Sequence, residues 1–205
     1  MTNLVLDLDE CLLHMFTENV DWSLYTFLQQ HHLEKRDDLI YIELEKFRLW
    51  GIKRPGLDEF LNYCFRKFQT VSVWSAGMPD YVYAIVDFIF RDHRYPDNVL
   101  TRDHVRRETH FEKDDFYCKP LETFFNFHPE ADKSNTILID NRLENSKYDP
   151  HNIIHVPDFV PEQTVDGVYQ DDDCFQVLVR WFESGLAQRE DVRILNKKLF
   201  TQHFD

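Results

Sequence analysis

The sequence predicts an α/β protein with a mostly parallel central sheet flanked by helices. Three short runs rich in apolar and β-branched residues, at positions 4–6, 71–74 and 136–139, each end at polar side chains. Runs of this length and composition are typical of buried parallel strands. Segments with helical spacing of apolar residues lie between and after these runs, and strands that alternate with helices form βα units.

The first predicted strand ends at two aspartates that are separated by one residue, Asp7 and Asp9. Alternation along an extended segment turns both carboxylates to the same side. Two like charges this close raise each other's proton affinity, and a divalent cation or a shared proton offsets that cost. Open α/β sheets bind ligands at the carboxyl ends of their strands, so the pair predicts a site. A polar loop that contains two acids explains this short motif equally well.

The segment after the first motif, about residues 16–50, departs from the βα alternation. Residues 39–44 and 47–50 predict two strands that are joined at Glu45 and Lys46, which is the pattern of a β-hairpin. A polar segment from about residue 18 to residue 38 precedes it. We therefore expect a small β-hairpin insertion between the first strand and the first helix.

Apolar spacing predicts five helices. The first begins near Pro55 and the second at Pro79, because proline is favoured in a first turn and apolar residues then recur on one face. The other three helices are predicted over about residues 120–127, 173–185 and 189–200. These helices supply the flanking layers of the sheet.

The composition fits a single compact domain over residues 1–205. The chain has 18 Phe, nine Tyr and four Trp to fill a core, and its five glycines and eight prolines are too few for a flexible linker. Its four cysteines lack CxxC spacing, which argues against a zinc site or a disulfide framework. The formal net charge of −14 argues against general nucleic-acid binding, since phosphate contacts need a surplus of lysine and arginine.

The N-terminal residues show no charged leader or apolar signal region, and no run approaches the ~18 apolar residues that span a bilayer. We therefore expect a soluble intracellular protein, in the nucleus or the cytoplasm, with no membrane contact. The apolar face of the fourth predicted helix fits internal packing better than a dimer contact, and the oligomeric state stays open.

Further polar side chains follow the later strands in a compatible order. Ser75 follows the second run, Lys119 precedes the third helix, and Asp140 and Asn141 follow the third run. The carboxyl ends of parallel strands meet at one edge of a sheet, so these hydroxyl, ammonium, carboxylate and amide groups should gather there. Together with the two aspartates they outline a site for a phosphate and a metal ion.

Four motifs and their intervening segments now support a family resemblance. The sequence resembles the small C-terminal-domain phosphatases, the FCP/SCP-type, NLI-interacting-factor-like branch of the haloacid dehalogenase (HAD) superfamily. The resemblance runs from about Leu4 to the final helices, and it rests on DLDEC with the following LLH, KRPGLDEFL at 53–61, WSAG, CKPL, and IDNRLENSKYDPHNIIHVPDF at 139–159. It implies a HAD-like Rossmannoid fold with a small β-hairpin insertion after the first motif and no large cap domain.

The resemblance implies roles for the residues at the centre of the site. Asp7 is the implied nucleophile, and Asp9 is the implied general acid and then general base. Mg²⁺ is implied as the cofactor, held by the Asp7 carboxylate, the Asp9 backbone carbonyl and Asn141. Asp140 is implied to orient Lys119 and a metal-bound water.

The resemblance also implies how the phosphate and the substrate are held. Ser75 and Lys119 bind the phosphoryl oxygens. Arg107 matches an arginine that reaches the phosphate region of the substrate, although Arg106 takes that role if the loop is shifted by one residue. The insertion is implied to form a substrate groove lined by Phe16, Ile40, Ile42, Leu49 and Met78. Ordinary packing of the hairpin on the core explains these apolar residues equally well.

The implied activity is that of a Mg²⁺-dependent protein serine/threonine phosphatase with an aspartyl-phosphate intermediate. Its implied substrate is a phosphorylated protein or peptide, such as the C-terminal heptad repeat of RNA polymerase II. One alternative is a catalytically silent adaptor that binds phosphopeptides or proteins, against which both motif aspartates are retained. The other is a small-molecule phosphatase, against which no large cap domain is present.

Three positions depart from the family pattern. Cys11 stands where threonine is usual, Ser75 replaces the commoner threonine, and Arg142 with Leu143 replaces Ser-Pro. None of these changes removes an attacking, acidic or metal-binding group. We therefore expect an active enzyme with altered specificity.

Overall fold

A computed structural model of the protein describes residues 1–16, 25–26, 29–30, 37–44, 47–110, 113–161, 172–185 and 191–200. The strands in these ranges are β1 Asn3–Leu6, β2 Leu13–Phe16, β3 Leu39–Leu44, β4 Phe47–Lys53, β5 Thr70–Trp74, β6 Val99–Leu100, β7 Arg106–His110, β8 Lys113–Cys118, β9 Thr136–Asp140 and β10 Ile153–His155. The α-helices are α1 Leu57–Lys67, α2 Pro79–Ile89, α3 Leu121–Phe125 and α4 Cys174–Gly185.

The central sheet has five strands in the order β10-β9-β1-β5-β6, and every neighbouring pair is parallel. This confirms the predicted parallel sheet. The first strand lies in the middle, with Leu4 paired to Val71 on one side and to Ile137 on the other. All residues of β1, β5 and β9 are buried, as expected for parallel strands covered on both faces.

Alternate residues of each central strand enter different cores. Leu4 and Leu6 belong to a large cluster that also contains the apolar faces of α1, α2 and α4, whereas Val5 belongs to a smaller cluster with Leu121 and Phe124 of α3. The two-residue period of a strand therefore directs its side chains into both layers. Because β1 is sandwiched between these layers, the segment that follows it is fixed at the middle of the sheet edge.

A second, antiparallel sheet has the order β2-β4-β3. The predicted hairpin of β3 and β4 is confirmed, while its predicted joint at Glu45 and Lys46 lies outside the described residues. β2 was not predicted, because its four residues lie directly after the first motif and pair in the sheet with the distant strand β4. Most of the polar segment predicted at about 18–38 also lies outside the described residues.

A third pair of strands, β7 and β8, is antiparallel and was also missed by sequence reasoning. The sequences of the two strands are RRETH and KDDFYC. They lack the alternation of apolar and polar residues that indicates a half-buried strand. Backbone pairing between them places Arg106 opposite Cys118. Lys119 is thus the first residue after the hairpin, and the hairpin fixes the position of its backbone.

Four of the five predicted helices are present. The third is shorter than expected, and the fifth, predicted over residues 189–200, is wrong for its described part. Residues 191–200 contain only the 3-10 turn Val192–Ile194. The backbone N–H of Val192 donates to the Ser134 carbonyl at 2.7 Å, so a tertiary contact takes a group that a longer helix would use. No helix in the described ranges is long and apolar enough to cross a membrane.

Candidate active site

A buried lysine joins two carboxylates at the edge of the central sheet. Lys119 Nζ donates to Asp7 Oδ1 at 2.5 Å and to Asp140 Oδ2 at 2.7 Å. Asp7 follows β1, Asp140 ends β9 and Lys119 follows β8. The exposed fractions of the three residues are 6%, 0% and 2% in that order, so this ion cluster is largely withdrawn from water. Asp7, Lys119 and Asp140 therefore lie together at the sheet edge, where the sequence predicted that they would gather.

The cluster is buried and carries one positive charge against two negative charges, and both features shift the pKa values of its members. Burial, with the charge of Asp140, raises the pKa of Asp7 to about 7 despite the opposing effect of Lys119. The charge of Asp9 adds a smaller rise to the pKa of Asp7, in the direction predicted for two neighbouring carboxylates. Burial lowers the pKa of Lys119, but the two carboxylates outweigh this and raise it to about 12. The cluster therefore favours an additional cation or proton.

Asp140 is held by more than the lysine. Its Oδ1 accepts a hydrogen bond from the backbone N–H of Arg142 at 2.8 Å, and its Oδ2 accepts another from Asn145 Nδ2 at 2.8 Å. Asn145 lies in the 3-10 turn Leu143–Ser146 that follows β9. Sequence reasoning missed this asparagine, since no periodicity or motif spacing singles it out. These bonds hold the carboxylate that accepts a hydrogen bond from Lys119.

Asp9 is bound by two hydroxyl groups. Ser75 Oγ donates to Asp9 Oδ2 at 3.2 Å and itself accepts the backbone N–H of Gly77 at 3.0 Å. The Tyr81 hydroxyl donates to Asp9 Oδ1. Burial raises the pKa of Asp9, and the hydrogen bond from Tyr81 partly opposes the rise. Tyr81 was missed because an aromatic residue in the first turn of a helix normally indicates packing.

Asn141 has the features of a cation ligand. Its Nδ2 donates to Asp158 Oδ1 at 2.8 Å, and its Oδ1 is buried without a hydrogen-bond partner. A buried acceptor without a partner is costly, and a bound cation would remove that cost. No three His, Cys, Asp or Glu side chains of the described residues group to hold a metal. The implied Mg²⁺ set instead uses one carboxylate, one amide oxygen and one backbone carbonyl, and the residues present fit it.

The sequence matches the family model of the NLI interacting factor-like phosphatases over residues 2–193. The chain belongs to this family. It is 26% identical over 198 residues to the "Probable C-terminal domain small phosphatase" of Dictyostelium discoideum, a match that covers 95% of this chain and 54% of that protein. The chain thus spans about half the length of this curated relative.

Two solved structures show the same fold. The structure of Fcp1, an essential RNA polymerase II CTD phosphatase, superposes with a TM-score of 0.66 at 14% identity, over 94% of this chain and 68% of that chain. A fission yeast Fcp1 variant bound to beryllium fluoride gives 0.60 at 18% identity, over 89% of this chain and 50% of that chain. The predicted HAD-like α/β fold of this phosphatase family is therefore confirmed.

The first motif of this family member makes a tight turn. The Leu8 carbonyl accepts the backbone N–H of Leu12 at 2.8 Å, and Glu10 adopts a positive φ of 56°. A left-handed backbone is unusual for a non-glycine residue and needs support from its surroundings. That support comes from Glu10 N–H, which donates to the Leu13 carbonyl, and from Phe159 N–H, which donates to the Glu10 carbonyl at 2.7 Å.

Cys11, the first departure from the family pattern, serves as a buried neutral thiol. Burial raises its pKa well above the usual thiol value. Its backbone carbonyl accepts a hydrogen bond from Arg54 Nη1 at 3.0 Å, and Arg54 also binds both oxygens of Asp172, at 2.9 and 2.8 Å. The cysteine therefore fills the position without weakening the anchor of the turn.

The structure corrects the predicted apolar groove. Ile40, Ile42 and Leu49 are buried in the large core, so they do not line an open groove. This supports the alternative, in which the hairpin packs on the core. Phe16 is partly buried and stacks on Trp50 with ring centroids 4.1 Å apart. Met78 alone of the five is exposed, at the N-terminus of α2.

The role of the two arginines on β7 stays a prediction. Arg106 and Arg107 are both exposed, and the Arg106 guanidinium lies 4.9 Å from the centre of the Tyr148 ring. The register pairs Arg107 with Tyr117 of β8. Both arginines thus lie on the hairpin that leads to Lys119, close in the chain to the site.

A cleft of about 740 Å³ includes Asn141 in its lining. Its walls come from β8, the loop after β9 and the segment after β10, with both apolar and charged side chains. The lining residues are Glu10, Phe116, Tyr117, Asn141, Arg142, Leu143, Glu144, His155, Pro157, Asp158 and Val160. The cleft therefore includes both residues, Arg142 and Leu143, that replace the usual Ser-Pro of the family.

Proposed function

We propose that this protein is a Mg²⁺-dependent phosphomonoester hydrolase that forms an aspartyl phosphate on Asp7. One observation carries the proposal: Lys119 holds Asp7 and Asp140 together in a buried cluster. A lysine in this position restrains a carboxylate while leaving its second oxygen for attack. It also supplies positive charge where a phosphoryl group would be transferred.

In the first step, the free oxygen of Asp7 attacks phosphorus and the bond between phosphorus and the alcohol oxygen breaks. Asp9, in its protonated form, gives its proton to that leaving oxygen. The rise in the pKa of Asp9 caused by burial supports this role, because it keeps the acid protonated at higher pH than an exposed aspartate. The products are the free alcohol and the phosphorylated Asp7.

In the second step, water attacks the phosphorus of the acyl phosphate. Asp9, now a carboxylate, accepts a proton from that water, and the bond from phosphorus to Asp7 breaks. Inorganic phosphate leaves and both aspartates return to their starting forms. One residue thus acts as acid and then as base, and the cycle consumes only water.

Mg²⁺ would be held by Asp7, the Asp9 backbone carbonyl and Asn141, and when bound it neutralises charge on the phosphoryl oxygens and on Asp7. Lys119 and Ser75 hold the same phosphoryl group from the protein side. Ser75 donates to Asp9 in this structure, so its hydroxyl would have to turn in order to donate to the phosphate. Asp140, fixed by Asn145, keeps Lys119 in place throughout.

The proposed substrate is phosphoserine or phosphothreonine within a peptide, for which the RNA polymerase II C-terminal repeat is the leading candidate. Two relatives support this choice: the probable C-terminal domain small phosphatase of Dictyostelium discoideum and Fcp1, an RNA polymerase II CTD phosphatase. The cleft of about 740 Å³ beside Asn141 supports it as well, because it could admit residues that flank the phosphorylated side chain. A nuclear location would follow from that substrate.

Hydrolysis of p-nitrophenyl phosphate with and without Mg²⁺ tests the chemistry. The wild type should be active only with the metal, and Asp7→Asn and Asp9→Asn should each lose at least about a thousandfold in kcat. Asp92→Asn makes the same change at an exposed side chain outside the site and should behave as the wild type. A folded wild type that is inactive with Mg²⁺ would sink the proposal and favour the adaptor alternative.

A further inference from the structure

We propose that Asp158 is a positioning residue that decides which end of the Asn141 amide faces the cation site. The inference rests on the proposed function, because it concerns the Mg²⁺ ligand set. It goes beyond that function by assigning a task to a residue outside the implied catalytic and metal groups. It depends on hydrogen-bond chemistry at one contact.

The amide of an asparagine side chain carries an oxygen atom and an NH₂ group, which are similar in size but differ in hydrogen-bond chemistry. Its oxygen only accepts hydrogen bonds and can bind a cation, whereas its NH₂ group only donates. An ionised carboxylate can only accept, so Asp158 can bind the NH₂ end of Asn141 but not the oxygen end. The observed contact, Asn141 Nδ2 to Asp158 Oδ1 at 2.8 Å, is therefore the one that chemistry allows.

The opposite end of the amide is left for a ligand. Asn141 Oδ1 is buried and has no hydrogen-bond partner in the described structure. A half-turn of the amide would exchange the ends and present two N–H donors to the cation. Asp158 opposes this half-turn, since it would bring the amide oxygen against a carboxylate oxygen.

Backbone hydrogen bonds on both sides of Asp158 fix its position in the fold. β10 pairs in parallel with β9, and His155 is the partner of Asp140. The backbone N–H of Val156 then donates to the Asp140 carbonyl at 3.0 Å, and that of Phe159 donates to the Glu10 carbonyl at 2.7 Å. Asp158 thus lies on a short segment that is held on both sides.

The first measurement is the affinity of metal-free protein for Mg²⁺, obtained by calorimetry, with the wild type compared to Asp158→Asn. An asparagine at position 158 can accept from Asn141 or donate to it, so the amide is no longer held in one orientation. When the amide at position 158 donates, its hydrogen bond goes to Asn141 Oδ1, which is the oxygen proposed to bind the cation. We expect the dissociation constant for Mg²⁺ to rise by about 10- to 100-fold, the usual effect of losing an outer partner of a metal ligand.

A double variant that exchanges the two side chains tests whether an acid and an amide at these two positions support the site in the opposite order. In Asn141→Asp with Asp158→Asn, the new amide at 158 can donate to one carboxylate oxygen at 141 and leave the other for the cation. The net charge equals that of the wild type. This double variant should bind Mg²⁺ more tightly than Asp158→Asn alone.

Glu144→Gln is the matched charge control, because Glu144 is an exposed acid that lines the same cleft. It should leave the affinity for Mg²⁺ close to that of the wild type. The inference is overturned if Asp158→Asn binds as the wild type does, if Glu144→Gln weakens binding equally, or if the exchanged pair gives no recovery. A wild type that binds no Mg²⁺ overturns the metal part of the proposed function as well. A wild type that binds and hydrolyses while Asp158→Asn is unchanged overturns only the role of Asp158.

Discussion

At the scale of single residues, the site is built from groups that would be unstable alone. Asp7 is almost fully buried, and its side chain accepts a hydrogen bond from Lys119, which also donates to Asp140. Burial of a carboxylate is costly without full compensation. A bound cation can offset this cost, which links the burial of Asp7 to the proposed chemistry.

Asp7 should make the metal-free protein less stable as pH rises. Its pKa is about 7 when folded against 3.8 as the ordinary value. Between these pH values the folded state holds a proton that the unfolded state has released, so the free energy of unfolding falls as pH increases through this window and stays low above it.

Asp7→Asn removes that titration. We expect the free energy of unfolding of Asp7→Asn, relative to the wild type, to increase between pH 4 and pH 7 by a few kcal/mol in the presence of EDTA. Urea unfolding at a series of pH values measures the difference. Asp92→Asn, at an exposed position, should show no such trend. A constant difference at all pH values would contradict the assigned cause.

Tyr81 should tune the acid function of Asp9. Its hydrogen bond stabilises the carboxylate and so opposes the rise in the pKa of Asp9 that burial causes. In Tyr81→Phe that pKa should rise further, and the alkaline limb of the kcat/KM profile should move to higher pH. Tyr83→Phe, at a largely exposed tyrosine on the same helix, is the control. Movement of the limb to lower pH would refute this assignment.

At the scale of elements, a buried arginine connects the first motif to the C-terminal helix. Arg54 is 1% exposed and binds the Cys11 carbonyl and both oxygens of Asp172, two residues before α4. Its guanidinium also lies 5.5 Å from the Phe159 ring centre and 5.9 Å from that of Phe175. The arginine therefore joins three segments that are distant in the chain.

Arg54→Met should lower the free energy of unfolding by about 3 kcal/mol, because it removes the guanidinium that binds the Asp172 carboxylate and the Cys11 carbonyl. Asp172 then keeps the backbone N–H of Cys174 as a donor. Denaturation in urea without Mg²⁺ measures this. Arg91→Met, which removes an exposed arginine of an exposed ion pair, should cost less than about 1 kcal/mol. Equal effects of the two variants would show that the buried arginine has no special structural role.

At the scale of the whole molecule, the net charge of −14 opposes the approach of an acidic phosphopeptide. Added salt screens this repulsion. We therefore expect kcat/KM for an acidic phosphopeptide to increase when the salt concentration is raised from about 10 to about 150 mM, a range over which the screening length falls to about 8 Å.

The matched comparison uses the same phosphopeptide with lysines in place of its acidic flanking residues. For that peptide kcat/KM should decrease over the same range, since screening then weakens an attraction. If both peptides respond alike, the effect comes from the salt acting on the active site and not from the charge of the molecule.

The sequence by itself determined the three inner strands of the central sheet and the polar groups at their ends. Apolar runs that end at Asp7, Ser75 and Asp140 were sufficient to predict three parallel strands with a polar site at their ends, because burial on both faces forces continuous apolar residues. Pro79 likewise marked the first turn of α2. Buried strands and helix starts depend mainly on residues that are neighbours in the chain, so the local sequence is enough to predict them.

Only the tertiary structure decided the contacts between distant segments. The polar strands β7 and β8 pair through backbone hydrogen bonds, which leave no pattern of side chains in the sequence. In place of the predicted final helix, the backbone N–H of Val192 donates to the Ser134 carbonyl. Tyr81 and Asp158 reach Asp9 and Asn141 only when the folded chain brings them together. The burial of Ile40 was likewise undecided, since an apolar side chain suits a groove and a core equally until the surrounding packing is formed.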